Sequence, residues 1–147
     1  TEEDYDFVHD TNLRAPYLIC RAVINGMIAP EGGRIVNIAS IWSVISKVHR
    51  SLYSSAKTGL VGLTRALAVE AGPKGVLVNL VSPGFVMTDM TRESLSGDEI
   101  AELVAQIPMQ RMASPDDIAD VVRFLLSSDN RYISGQNIVV DGGFTNV

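Results

Sequence analysis

The sequence predicts an α/β protein whose helices cover a parallel sheet. Three observations carry this expectation. Helical and strand-like segments alternate along the chain. Each strand-like segment is a nearly unbroken apolar run, as a strand buried on both faces must be. Gly and Pro mark the joints between them. Repeats, low-complexity tracts and linkers are absent from the sequence, so residues 1–147 read as a single domain.

From residue 5 to residue 27, Leu13, Tyr17, Cys20, Ile24 and Met27 recur at spacings of three and four, which predicts a helix with one apolar stripe. EGGRIVNIAS follows, a Gly-led turn and then a short apolar strand over residues 34–39. A second helix is expected over residues 53–71, with Leu60, Leu63 and Leu67 on one stripe and GPKG as its stop. VLVNLVS is a buried type of strand ended by Pro83 and Gly84. Residues 88–112 are polar and flecked with Met, with a short helical pattern around Ile100, Leu103 and Val104. Ser114, Pro115, Asp116 and Asp117 form a strong helix start: a capping hydroxyl, Pro in the first turn, and acids at the positive end of the helix dipole. Ile118, Val121, Val122 and Leu125 are its apolar stripe, and QNIVVDGG is a last strand and turn. Three strands are few, because doubly wound dinucleotide folds have about six. The first strand has no evident neighbour on one edge, and such an edge invites pairing. The pattern therefore predicts part of a doubly wound, Rossmann-like sheet, its carboxyl-terminal part, without the amino-terminal nucleotide-binding strands.

Composition excludes several function classes. At 46% hydrophobic and 20% charged, the chain is an ordinary globular one. A net charge of −5 without basic runs argues against nucleic acid and anionic membrane as partners. No apolar run approaches the roughly 18 residues of a membrane span. A single cysteine, Cys20, excludes an internal disulfide framework and fits a reducing, cytoplasmic setting. His9 and His49 lie 40 residues apart without clustered acids or thiols, so no metal site is expected. TEEDYDFVHD lacks both the layout of a signal peptide and an initiator Met, which suggests a processed or partial product.

The chemistry starts from SLYSSAKTG. Tyr53 precedes Lys57 by four residues, so both lie on one helix face. A cation within about 4–6 Å lowers an acid's pKa by about 1–3 units, which would bring a phenol towards general acid–base work. The alternative is an exposed aromatic beside an exposed lysine. Ser40 ends the strand RIVNIAS, and the carboxyl ends of parallel strands are where such sheets bind ligands. A hydroxyl there can hold a carbonyl oxygen that gains negative charge; otherwise Ser40 is a turn residue. Strand ends at Ser40 and at Pro83–Gly84 would face one crevice. Pro16 has no N–H, so the carbonyl of Asn12 loses its usual helical partner and is free to hold a water; a simple kink is the alternative. His49 either touches substrate or lies on plain surface. Met87, Met90, Met109 and Met112 either line an apolar lid or pack in the ordinary way. Ala56, Gly59 and Ala66 form a small-residue stripe for close helix approach, within the chain or between copies.

These motifs together resemble one family. TNL with Asn12, GRIVNIAS with Ser40, YSSAK with Tyr53 and Lys57, VLVNLVSPGFVMTDM, RMASPDDIADVVRFLLSS and YISGQNIVVDGG match the short-chain dehydrogenase/reductases in order and spacing along essentially the whole chain. The flow from PGFVMTDM to the end most resembles the 3-oxoacyl-acyl-carrier-protein reductases, a tail shared with sugar, polyol and steroid relatives. The resemblance implies an NAD(P)-dependent oxidoreductase. In it Tyr53 exchanges a proton with the carbonyl or alcohol oxygen, Lys57 tunes Tyr53 and holds the nicotinamide ribose, Ser40 holds the substrate oxygen, and Asn12 supports a proton relay. Pro83, Gly84, Val86 and Thr88 would hold the nicotinamide carboxamide. It also implies a small-molecule carbonyl or alcohol substrate, with carrier-bound acyl chains among the candidates, and a homodimer or homotetramer. Lys47, Arg50 and Lys74 are candidate contacts for an acidic carrier.

One departure stands out. The family's Gly-rich turn for the pyrophosphate and the residue that selects NAD or NADP are absent from these residues. The expectation is a chain that binds dinucleotide poorly alone and forms part of a working oxidoreductase. The alternative is a non-catalytic binding or assembly module that keeps these residues by descent.

Overall fold

The computed structural model describes residues 1–27 and 32–147. Glu31, the first residue of the expected Gly-led turn, lies outside the described residues. Three parallel strands form one sheet in the order β1–β2–β3, with β1 Gly33–Ile38, β2 Val76–Pro83 and β3 Asn137–Val140. This is the α/β architecture the sequence predicts, and β2 is the central strand. Ile38 at the end of β1 is 45% exposed, and the outer edge of β1 has no strand beside it among the described residues.

The first helical stretch is not continuous. α1 Glu2–His9 passes into a widened, π-helical turn at Asp10–Arg14, then α2 Ala15–Ile24, then a tight turn at Asn25–Met27. The amide of Ala15 reaches back five residues to the carbonyl of Asp10. Pro16 explains the break: it cannot donate to Asn12, so the α ladder is interrupted there and Pro16 falls in the first turn of α2, where no donor is needed.

α3 Ser51–Ala71 lies on one sheet face together with α2. Ile35 of β1 and Val76 and Val78 of β2 pack with Cys20, Leu67 and Ala71, while Leu80 packs with Leu60 and Ala39. Asn37 interrupts this face and is satisfied within it: its amide donates to Thr64 Oγ1 at 3.0 Å and its oxygen accepts from the Cys20 thiol at 3.6 Å. Burial pushes the Cys20 thiol up, which fits a core cysteine. The alternate residues of β1 and β2 point to the opposite face, which α6 Pro115–Leu126 covers. There Arg34 donates to the carbonyl of Asn130, and Asn79 bridges the carbonyl of Ile133 and the amide of Gln136, fixing the approach to β3.

Ser114 caps α6, as its sequence predicts, and Asp117 adds a reciprocal bond that completes a capping box. The segment expected to hold one helical pattern holds two helices, α4 Asp89–Ser94 and α5 Gly97–Gln106. The second is capped by Ser96 and Glu99, a signal the sequence carried in Ser-x-x-Glu. Gly32 is obligatory at the turn into β1: its φ is +70°, and a Cβ there would sit 2.3 Å from the carbonyl oxygen of Gly75. No described helix is long and apolar enough to cross a membrane.

Candidate active site

A cleft of about 470 Å³ opens where β1 and β2 end. Ser40 follows β1, Tyr53 lies in the first turn of α3, and Gly84, Phe85 and Val86 follow β2; all five line it. Placement at the carboxyl ends of neighbouring parallel strands follows from topology, because both chains leave the sheet on the same side.

Each wall has a local cause. Ser40 is extended and caps the tight turn Ile41–Ser43, its oxygen accepting from the amide of Trp42 at 3.3 Å. That bond uses one lone pair of the oxygen, and the hydroxyl also bonds to the Tyr53 phenol. The turn is tied to the sheet by a triangle of Ser43, Ser82 and Asn137: Ser82 donates to Asn137 at 2.7 Å, and the two serine hydroxyls meet at 3.0 Å. Beyond β2, the carbonyl of Phe85 accepts from Ala113 and the amide of Met87 donates to Ala113. Alternation then turns the amide and carbonyl of Val86 away from that ladder. Gly84 passes so close to Asp141 that a Cβ would lie 2.8 Å from its Cα.

The electrostatics differ from the sequence expectation. Lys57 was expected to lower the Tyr53 pKa, yet burial pushes the Tyr53 phenol up. Ser40 and the charge of Arg50, in that order, pull it partly back. Lys57 Nζ stands 5.6 Å from the centre of the Tyr53 ring and donates to the carbonyl of Ile38 at 3.0 Å, and burial lowers its own pKa. The i, i+4 spacing places the pair correctly, but the ammonium is held at the strand end rather than against the phenol oxygen. One outcome is measurable. In a tyrosine ζ-carbon NMR titration, the Tyr53 phenol is expected to titrate above the ordinary tyrosine value of about 10. A Tyr53 midpoint at or below that value would contradict this.

Of the eight expected site residues, Ser40, Tyr53, Gly84 and Val86 line the cleft. Lys57 stands behind Tyr53 on α3. Pro83 closes β2 opposite Val140. The hydroxyl of Thr88 caps α4 by accepting from the amide of Thr91, so the expected carboxamide contact competes with a structural bond. Asn12 sits on the widened turn, its side chain donating to the carbonyl of Val8 at 3.0 Å, and it does not line the cleft. His49 is exposed in a left-handed turn, φ 63°, outside the cleft. Of the four candidate lid methionines, Met87, Met90, Met109 and Met112, only Met90 reaches the cleft; Met112 is core and Met109 lines a separate cavity beside Gly142. In the small-residue stripe, Ala56 is buried and Gly59 lies against the side chain of Leu13, so those two serve packing within the chain, while Ala66 is exposed. Thr91, Ser94, Leu95 and Leu103 also line the cleft; Leu103 is legible in sequence only as part of a helical stripe and the other three carry no local signal, because α4 and α5 fold over the cleft through long-range packing.

Comparison with known proteins adds to this geometry. A family model described as enoyl-(acyl carrier protein) reductase matches residues 1–145. A 3-oxoacyl-[acyl-carrier-protein] reductase of Chlamydia muridarum is 41% identical over 143 residues, 97% of this chain and 57% of the relative. The reductase of the same description from Escherichia coli K12 is 37% identical over 142 residues, 97% of this chain and 58% of the relative. Among solved structures, a protein of Agrobacterium tumefaciens assigned as a gluconate dehydrogenase has a TM-score of 0.94 at 34% identity, covering 100% of this chain and 58% of that one. A second protein of that organism, assigned as a 2-deoxy-D-gluconate 3-dehydrogenase with bound NADP, has a TM-score of 0.92 at 33% identity, covering 100% and 61%. The chain thus spans less than two thirds of the length of the relatives it matches.

Proposed function

The chain belongs to the short-chain dehydrogenase/reductase family, and from that premise we propose that it supplies the catalytic and substrate-binding part of an NAD(P)-dependent oxidoreductase interconverting a carbonyl and a secondary alcohol. The observation that carries this reading is the shared cleft of Tyr53 and Ser40 at the end of β1.

The dinucleotide, when bound, supplies or accepts the hydride. The nicotinamide end fits what these residues offer: the Val86 amide faces away from the Ala113 ladder, and Gly84 leaves the turn narrow. Pro83, Gly84, Val86 and Thr88 would hold the carboxamide, and Lys57 the ribose. The pyrophosphate end does not fit, because no Gly-rich turn occurs in the 147 residues. In reduction, Tyr53 gives its phenolic proton to the substrate oxygen, and its raised pKa keeps that proton in place beforehand. The hydroxyl of Ser40, which bonds to the Tyr53 phenol when the cleft is empty, turns its hydrogen to the same oxygen as negative charge develops there. Ser40 and the charge of Arg50 favour the phenolate left behind. Asn12 supports a water relay for reprotonation, and the helix widened at Asp10–Arg14 supports that role by loosening the backbone around its carbonyl.

The relatives named as 3-oxoacyl-acyl-carrier-protein reductases support a 3-oxoacyl substrate. Those assigned to gluconate chemistry support a sugar or polyol acid, and steroid alcohols are the remaining class. Exposed Phe7, Tyr17, Leu18 and Ile19 on α1 and α2 support a homodimer or homotetramer, and a lone buried thiol supports a cytoplasmic setting. All of residues 1–147 act as one domain in this reading.

A cofactor and substrate screen tests it. The whole protein is expected to oxidise NADH or NADPH with one of these carbonyl classes, and the 147-residue chain alone to show no saturable dinucleotide binding. A folded whole protein that turns over none of them would favour a non-catalytic binding module. Tight dinucleotide binding by the chain alone would contradict the division of labour.

A further inference from the structure

The cleft beside Tyr53 carries a charge pattern that proton transfer does not use. The chain is acidic, net −5, yet no carboxylate lines the cleft; its charged side chains are Lys47 and Arg50. Neither is in an ion pair or a side-chain hydrogen bond among the described residues. Arg14, Arg92, Arg111 and Arg123 each face an aspartate, while Arg21, Arg65, Lys74 and Arg131 share the lack of an ion pair among the described residues, so what sets Lys47 and Arg50 apart is their place in a cleft without carboxylates. Lys47 and Arg50 instead rest on Trp42, with Nζ 5.6 Å and Cζ 5.9 Å from the ring centre. The ring is itself fixed, edge-on to Phe85 at 6.4 Å, and Phe85 to Phe144 at 5.1 Å. Exposed cation–π contacts are weak, whereas charge-assisted hydrogen bonds to an oxyanion are strong, so an anion entering the cleft draws both cations off the ring at little cost. Arg50 precedes Tyr53 by three residues at the start of α3, so it shares the side of the helix from which Tyr53 faces the cleft.

We propose that Lys47 and Arg50, seated on Trp42, form a binding site for an oxyanion, carboxylate or phosphate, at the end of the substrate away from its carbonyl. This rests on the oxidoreductase reading of the cleft. Its consequence is selectivity: an anionic carbonyl compound is held with its reacting end at Ser40 and Tyr53, and a neutral isostere is not.

Trp42 is the sole tryptophan, so intrinsic fluorescence reports on the site without cofactor or turnover. The probes are hexanoate, butyl phosphate and neutral hexanamide, titrated into the chain at low salt. A saturable change with hexanoate or butyl phosphate is expected, at least about tenfold weaker with hexanamide, as befits loss of a charge-assisted contact. Whichever anion binds tighter identifies the source as carboxylate or phosphate. Lys47→Gln with Arg50→Gln is expected to weaken the anion by about tenfold or more, whereas Lys74→Gln, beyond the far end of α3, leaves it in place. Raising salt should weaken the anion and not the amide. Equal binding of hexanamide, unchanged anion affinity in the double variant, or no saturable response to either anion would overturn the proposal. Anion binding in a whole protein that turns over no carbonyl would sink the oxidoreductase reading and leave this site standing; turnover without anion selectivity would do the reverse.

Discussion

Tyr53→Phe is expected to lower the rate of carbonyl reduction in the whole protein by about 10²–10⁴, the usual contribution of a positioned general acid. The substitution deletes one oxygen and keeps the ring, which is partly buried between the first turn of α3 and the cleft, so fold and substrate binding should survive. The loss should appear mainly in kcat, because the proton moves only as negative charge develops on the substrate oxygen. Circular dichroism and the KM for the carbonyl compound are expected to stay near wild type. A Tyr53→Phe protein that keeps wild-type kcat would remove the proton donor from the account.

Leu80→Ala is expected to destabilise the protein by about 2–5 kcal/mol, the range for emptying a fully buried leucine site. Leu80 is 0% exposed in the central strand and packs against Leu60 of α3 and Ala39, the residue before Ser40. Its neighbours are fixed by strand pairing on both sides: Leu80 stands opposite Asn37 of β1 and Asn137 of β3. The backbone cannot close around the void, so the cavity cost remains alongside the lost transfer energy. Thermal unfolding should show a fall in Tm of roughly 5–15 °C for a domain of this size. A fall within about 1 kcal/mol would mean that α3, and Tyr53 with it, is seated by something other than this cluster.

The strands and the long helix were legible in the sequence because their signals are local. Apolar runs bounded by Gly and Pro set β1 and β2 to within a residue or two, and Ser114 with Asp117 fixed the start of α6. Tyr53, Ser40 and the turn at Gly84 could be placed in one crevice because parallel topology brings consecutive strand ends together. The break at Asp10–Arg14 was half legible: Pro16 announced a missing donor, but whether a chain kinks or widens depends on its packing, here Leu13 against Gly59. The electrostatics were not legible. Spacing put Lys57 beside Tyr53, but only the fold shows Lys57 donating to Ile38, Tyr53 desolvated, and Arg50 acting on the phenol. The absence of a carboxylate from the cleft that Lys47 and Arg50 line is likewise a property of tertiary placement, invisible in a chain of net charge −5.

The proposed chemistry requires Tyr53 and Ser40 to act on one substrate oxygen. A double-mutant kinetic cycle tests it most directly: kcat/KM for carbonyl reduction by the whole protein, its Ser40→Ala and Tyr53→Phe variants, and the combination. Groups that act as a unit are strongly non-additive, so the double variant should be little slower than Tyr53→Phe alone. Losses that multiply, with each substitution costing as much in the presence of the other as in its absence, would show two groups acting independently and contradict a shared site.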